Sequence, residues 1–540
     1  MLDLTPALRI FAHRRLGRLA RQHPAETQQR QLLALVNTAR GTAFGRDHDF
    51  RAIRSVADFQ ARVPLRSYED FWESYWKPAF PLLEDCSWPG RMPYFAVSSG
   101  TTAGRTKYIP CSREMVRANG RAALDVVAHH LAHRPASRLF GGRSFVLGGS
   151  TDLKREAPGV LSGDLSGIAA AEVPRWARPF YFPPRKLALI ENWEEKIARM
   201  GPLSLRRNIR SISGTPSWLL ILFDRMFQHA GGDGQPAEHR LAGLYPRLEL
   251  LVHGGVGFAP YRARYEALLA GGHAELREVY PASEGFIAVQ DGPSRMLEGG
   301  VSPMLRDATP PLLRLMLDNG LFHEFVPLEE LGRPNPTRHW VETLETGVDY
   351  ALALSSNAGL WAYLLGDTVR FVERDPPRLL MTGRTAYTLS AFGEHLTGEE
   401  VERAVADAAA SIAADVSDFA VGSRFPEAPG ELGGHLFVVE FAPPGSSSPE
   451  HSPPPSHPDA LQAFAADLDA RLCDLNDDYR AHRAGGYGLD APRVIPMAAG
   501  GFSQWMKARG KQGGQHKVPR IVNDGDLLAN LLAFAEGWRG

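Results

Sequence analysis

Ser98-Ser99-Gly100-Thr101-Thr102-Ala103-Gly104-Arg105-Thr106-Lys107 is the stretch of this 540-residue chain whose reading decides the fold. Five of its ten side chains carry hydroxyls, two positions are glycine and a lysine closes it. Glycines let backbone N–H groups approach an anion closely, and hydroxyls donate to phosphate oxygens. Lys107 adds a compact positive charge on a flexible stem. The spacing is not the GxxxxGK[ST] of a P-loop, because Tyr108 follows Lys107. Apolar runs at Tyr94–Val97 and Tyr108–Ile109 read as strands, so the loop is expected to join two strands. Alone, it reads equally as a surface turn or as a cradle for a polyphosphate.

Working outward, three further segments carry chemistry. Leu248–Val252 reads as a strand running into His253-Gly254-Gly255, where backbone either approaches a flat ligand such as a purine or simply leaves the sheet. The strand candidate Leu276–Tyr280 ends in Tyr280-Pro281-Ala282-Ser283-Glu284-Gly285. A tyrosine there can stack on adenine and a glutamate can bind Mg2+ on phosphates, although such a turn also serves structure alone. Tyr363-Leu364-Leu365-Gly366-Asp367 sets an aspartate at the boundary of the strand-like Thr368–Val372. That carboxylate either accepts both hydrogens of a ribose diol or closes a turn.

Composition bounds the rest. The length exceeds what one hydrophobic core usually supports, and 44% hydrophobic with 22% charged residues is ordinary for a globular chain. A net charge of −1 gives no support for a nucleic-acid partner. Cys86, Cys111 and Cys473 form no CxxC pair, which fits a reducing, cytoplasmic setting. No apolar run reaches the roughly 20 residues of a membrane span. The arginine-rich start places Leu8, Phe11, Ala12, Leu16 and Leu19 on one helical face, as in a docked amphipathic helix. Only eight of the sixty basic residues are lysine, yet Lys507, Lys511 and Lys517 fall close together. No HExxH, no clustered Cys/His and no GxSxG occurs, which argues against a zinc site and a serine hydrolase.

Residues 1–90 read as helical. From about 94 to 380 strands alternate with helices, giving an α/β body. Further strand candidates are Ser144–Leu147, Phe286–Val289 and Tyr350–Leu354, and Ser217–His229 is the strongest buried helix. After Gly383-Arg384 the character changes. Thr397-Gly398-Glu399-Glu400 reads as a capping box opening a helix through about Ala414. A strand candidate, His435–Phe441, follows, then a proline- and serine-rich loop at Ala442–Pro458 and a helix through Tyr479. The expected domains are 1–388 and 389–540.

In this order the segments resemble the adenylate-forming superfamily, and most closely the acyl-acid amido synthetases, the plant enzymes that conjugate auxin or jasmonate to amino acids, and their bacterial relatives. SSGTTAGRTKYIP, YPASEG and YLLGD resemble the family's three motifs, and GGQHKVPR resembles its C-terminal segment. TAFGRDHDF, FQARVPLRSYEDF and NDDYRAHR also look like family segments. Leu364 departs from the family's usual arginine after the tyrosine of the third motif.

The resemblance implies a large N-terminal adenylation domain, with β-sheets and packed helices, and a smaller mobile α+β C-terminal domain. It implies adenylation of a carboxylic acid by ATP with Mg2+, then transfer of the acyl group to an amino acid. Ser98, Ser99, Gly100, Thr101, Thr102 and Lys107 would hold phosphates. Gly254, Gly255, Tyr280, Ser283, Asp367 and Arg384 would complete the ATP site, Tyr280 at adenine and Asp367 at ribose. Glu284 would bind the metal and Lys517 would act on the α-phosphate and carboxylate. Phe145–Glu172 and Ser211–Met226 are candidates to line the acid pocket. An acid–CoA ligase and a nucleotide-binding protein without turnover are the rival readings. The sequence sets no oligomeric state.

Overall fold

A computed structural model gives the structure and describes residues 3–98, 107–148, 153–188, 190, 193–230, 240–255, 258, 261–293, 311–385, 388–389, 391–394, 396–412, 414, 416–428, 430–441, 458–486, 488–509 and 518–537. The chain divides into two units, one holding Met1–Ser98 and Lys107–Thr385 and the other taking in Ala386–Gly540.

The larger unit is built on strands β1 (Tyr94–Ser98), β2 (Lys107–Cys111), β3 (Arg143–Val146), β4 (Lys154–Ala157), β5 (Val160–Gly163), β6 (Tyr181–Phe182), β7 (Ile209–Gly214), β8 (Leu250–Gly254), β9 (Glu275–Ala282), β10 (Gly285–Gln290), β11 (Leu313–Leu315), β12 (Leu321–Pro327), β13 (Asp349–Ser356), β14 (Tyr363–Arg374) and β15 (Pro377–Arg384). Among the described residues they form a four-stranded sheet, β2-β1-β5-β4, and an eleven-stranded one, β12-β13-β14-β15-β11-β10-β9-β8-β7-β3-β6. The large sheet has two halves. From β6 to β9 neighbours run parallel, and from β9 to β12 they form antiparallel pairs.

The parallel half fixes which side chains share a face, because residues alternate along a strand. Leu250 and Val252 of β8 pack with Val279 of β9 under the Arg113–His133 helix, through Ala122, Val126, Ala128 and Leu131. The same helix carries His130 and His133, which bond Glu275 at 2.7 Å and Arg277 at 2.9 Å. Leu251, His253, Leu276, Glu278 and Tyr280 therefore belong to the opposite face. On that side the Pro216–His229 and Arg262–Leu269 helices are tied together. The Tyr265 hydroxyl donates to Pro216 O at 2.7 Å and Arg264 pairs with Asp224 at 2.6 Å.

Thr5–Leu19 is a helix docked on the Arg113–His133 helix. Arg15 holds it there, bonding Asp125 at 2.6 Å and Asp318 at 2.6 Å. The rest of the first ninety residues folds against the antiparallel half. Phe44, Phe71 and Trp76 stack in one core with Trp361. Ala362 O accepts the Arg66 N–H at 3.0 Å and Arg66 O accepts the Leu364 N–H at 2.9 Å, pinning the segment that enters β14.

The smaller unit contains β16 (Thr388–Leu389), β17 (Leu396–Thr397), β18 (Val416–Arg424), β19 (Gly434–Phe441), β20 (Arg493–Met497) and β21 (Ile521–Val522), the last four in the order β20-β19-β18-β21. Helices Gly398–Ser411 and Pro458–Leu475 share a core with β18 and β19. Inside it Glu394 accepts from His435 at 2.9 Å, both fully buried. Burial raises the Glu394 carboxyl, but the bond and charge of His435 outweigh it and leave the group at about 2. The helix expected to continue through Tyr479 stops at Leu475. Asn476 is extended there, and its side chain accepts the Tyr479 N–H at 2.8 Å, capping a second helix, Asp477–Arg483. The expected loop at 442–458 lies outside the described residues except for Pro458, which opens the Pro458–Leu475 helix.

Candidate nucleotide site

The hydroxyl-rich stretch is bracketed by an antiparallel hairpin. Ser98 of β1 lies opposite Lys107 of β2, and the register continues to Tyr94 opposite Cys111. Ser99, Gly100, Thr101 and Thr102 lie outside the described residues, as does the side chain of Ser98. Tyr68 holds the far side of the hairpin. Its hydroxyl accepts the Tyr108 N–H at 2.9 Å, and the Lys107 ammonium lies 5.2 Å from the centre of its ring. Tyr68 is itself fixed by the helix it opens, where Ser67 and Asp70 cap each other. Burial raises its hydroxyl well above the usual tyrosine range, so the ring stays neutral beneath the ammonium.

Two motif carboxylates are buried, each beside a tyrosine. Tyr280, near the end of β9, donates to Asp367 Oδ2 at 2.6 Å. Glu284, in the turn between β9 and β10, neighbours the phenol of Tyr363. Burial and the neighbouring Glu284 charge together push that phenol well above its ordinary value. Segments 87 residues apart in sequence, Tyr280 and Asp367, thus meet at one point.

Asp367 was expected at a strand boundary and lies inside β14 instead. The register between β13 and β14 shifts between Ala351 and Ala353, so Leu364 to Thr368 of β14 span fewer residues of β13. Gly366 sits in this bulge with φ +92°, in the left-handed region that glycine adopts without strain. The bulge re-aims the next side chain, which is how Asp367 comes to meet Tyr280.

Gly254 closes β8, and a Cβ there would lie 2.3 Å from Val279 O of β9. The group that approaches closely at this glycine is therefore the adjoining strand. Gly255 follows with φ +91°, turning the chain out of the sheet. Ser283 is half-buried in the turn beside Glu284. Arg384 pairs through its backbone with Asp367, its side chain lying outside the description, and Lys517 lies outside it altogether. Lys107, Tyr280, Ser283, Glu284, Asp367 and the two glycines all belong to the larger unit.

Sequence reasoning missed Tyr68, whose hydroxyl holds Tyr108, and Tyr363, whose phenol neighbours Glu284. Tyr68 lies in a quoted family segment and Tyr363 in the third motif, which is the one signal that pointed to them. Among the described residues no group of three or more His, Cys, Asp or Glu forms a cage for a metal ion. A single buried carboxylate at Glu284 suits Mg2+ carried on phosphates, which takes one or two protein carboxylates and keeps the rest of its shell elsewhere. Among the described residues no helix is long and apolar enough to cross a membrane.

The fold is shared with solved acyl acid amido synthetase and CoA-ligase structures. A GH3.15 acyl acid amido synthetase is 17% identical, with 96% of this chain and 94% of that chain covered at a TM-score of 0.57. The AtGH3.15 acyl acid amido synthetase in complex with 2,4-DB is 16% identical over 97% of this chain and 96% of that one, at 0.58. 2-Hydroxyisobutyryl-CoA ligase, in complex with 2-HIB-AMP and CoA, is 15% identical over 95% and 92%, at 0.54. No curated protein matches. The GH3 family N-terminal domain matches residues 17–147, its central domain 314–384 and its C-terminal domain 399–526. The chain belongs to the GH3 family.

Proposed function

We propose that this chain is an ATP-dependent acyl-acid amido synthetase. It adenylates a small carboxylic acid with release of pyrophosphate, then passes the acyl group to the amine of an amino acid with release of AMP. The observation that carries the reading is the Tyr280–Asp367 bond, which joins the second and third motifs into one polar site at the carboxyl end of β9. Ligands of open α/β sheets bind at that end of the parallel strands.

Asp367 accepts the ribose hydroxyls while Tyr280 flanks adenine, with Gly254 and Gly255 beside the base. Ser98, Ser99, Gly100, Thr101, Thr102 and Lys107 hold the phosphates, Ser283 and Arg384 complete the nucleotide's contacts, and Glu284 binds Mg2+. The ion would neutralise phosphate charge when bound. The first step spreads charge over phosphoryl oxygens, so its rate rests on positioned donors and cations. Lys517, from the C-terminal domain (389–540), supplies one of them at the α-phosphate and carboxylate. The N-terminal domain (1–388) holds ATP and acid, and the C-terminal domain acts as the lid. We place the enzyme in the cytoplasm, where its free cysteines stay reduced.

A screen of carboxylic acids by pyrophosphate release, with amino acids and CoA then offered on the best acid, tests this reading. Amide formation with an amino acid is the expected outcome; thioester with CoA and no amide would move the chain to the acid–CoA ligases. Lys517→Ala should slow adenylate formation by about a hundredfold while changing the Kd for ATP by less than threefold. If ATP binding weakens as much as the rate falls, Lys517 is an ordinary phosphate ligand.

A further inference from the structure

One face of the parallel half carries a polar pair that the nucleotide site does not use. His253 of β8 and Glu278 of β9 are register partners on adjacent parallel strands, so their side chains share a face. It is the face of Tyr280, two residues further along β9 and roughly 6.6 Å away at the usual rise of a strand. The Arg113–His133 helix covers the other face, so neither side chain contributes to that packing.

His253 is 2% exposed and its ring stacks on Phe258 at 3.8 Å. Its Nδ1 has no hydrogen-bond partner among the described residues. A buried polar atom left so usually marks a missing ligand or water. Burial, with the nearby charge of Arg262, pushes this imidazole down to about 3, so it is neutral. Glu278 differs in one respect: it keeps part of its surface accessible. Burial still pushes its carboxyl up to about 7, Arg262 acting against that shift. Glu278 is thus neither sealed like His253 nor open like a surface carboxylate. Its backbone is locked, the Glu278 N–H donating to Gln290 Oε1 at 2.9 Å.

We propose that Glu278 and His253 form the polar floor of the acid pocket and select acyl acids bearing a hydroxyl or amino group at the end remote from the carboxylate. This rests on the adenylation reading above. One pleat separates Glu278 from the tyrosine that flanks the nucleotide, a span that one substituted ring or a short chain bridges. The donor on the acid would bond the Glu278 carboxyl. A pocket built to hydrogen-bond a substrate rejects the analogue lacking the group far more strongly than an apolar pocket rejects an extra methylene.

Pyrophosphate release with matched acids tests this, using benzoate against 4-hydroxybenzoate and hexanoate against 6-hydroxyhexanoate. The wild type should favour the hydroxylated member at least tenfold in kcat/KM in the pair it accepts. Glu278→Leu should bring that ratio to within twofold of unity or invert it. Glu278→Gln, which keeps an acceptor oxygen, should retain most of it, and all three proteins should bind ATP alike. A wild-type ratio near unity, or one that Glu278→Leu leaves unchanged, overturns the assignment while adenylation stands. Absence of pyrophosphate release with every acid of a broad screen overturns the adenylation reading and this one with it.

Discussion

The two ends of the parallel strands use carboxylates in opposite ways. Where β8 and β9 begin, Glu275 bonds His130 at 2.7 Å and Arg277 at 2.7 Å, and Glu249 pairs with Arg210 and receives the Ser137 hydroxyl. Arg277 goes on to bond Gln290 O at 2.9 Å. Where β9 ends, Asp367 receives the hydroxyl of Tyr280, and Glu284 neighbours the phenol of Tyr363. A guanidinium fixes a carboxylate and cancels its charge. A phenol fixes it and leaves the charge in place. The first arrangement makes a strut; the second keeps a carboxylate positioned for a cation or a diol.

The hardest test of that contrast is Asp367→Ala. With the ribose acceptor gone, ATP-dependent pyrophosphate exchange should fall at least a thousandfold, which is about 4 kcal/mol of transition-state stabilisation. The melting temperature should move far less than the rate, because the hydroxyl of Tyr280 is left in place. Wild-type exchange in this variant would end the role of Asp367.

Glu275→Gln is the mirror experiment at the other end. It leaves the Arg277 guanidinium, which is fully buried, without its carboxylate charge, and breaking such a pair costs about 3 kcal/mol. Urea unfolding should show that loss, while exchange per folded molecule stays within twofold of wild type. A variant of full stability and poor exchange would mean that this network serves the reaction.

The same contrast explains what was legible in the sequence. The hairpin around 98–107 and the turn at Ser283-Glu284 are local, and their apolar runs and turn residues announce them. Pro216–His229 was visible almost to the residue for the same reason. The position of Asp367 was not, because it depends on a bulge made by pairing with β13. Strand β12 escaped notice because His323 and Glu324 interrupt its apolar run, yet both are fully buried, Glu324 against Arg338 at 2.8 Å. The ion network at the strand starts draws on residues from 130 to 277, and no spacing rule links them. Glu278 needed the β8–β9 register before its face could be assigned. The break at Asn476 was readable, since Asn followed by two aspartates is a helix-start signal that the apolar pattern around it masked.

The smallest effects discriminate most finely. Tyr280→Phe removes the 2.6 Å bond to Asp367 at nearly constant volume, so it should raise the KM for ATP about tenfold, the order of a hydrogen bond to a charged group. Tyr363→Phe removes the phenol hydroxyl beside Glu284, so its effect should fall on the Mg2+ concentration needed for half-maximal exchange, rising about threefold, with the KM for ATP nearly unchanged. Two phenols of similar burial would then report on two different ligands, which a purely structural role does not produce. Should both variants instead lose stability and keep wild-type dependence on ATP and Mg2+, Asp367 and Glu284 would be struts like Glu275, and the division between the two ends of the sheet would fail.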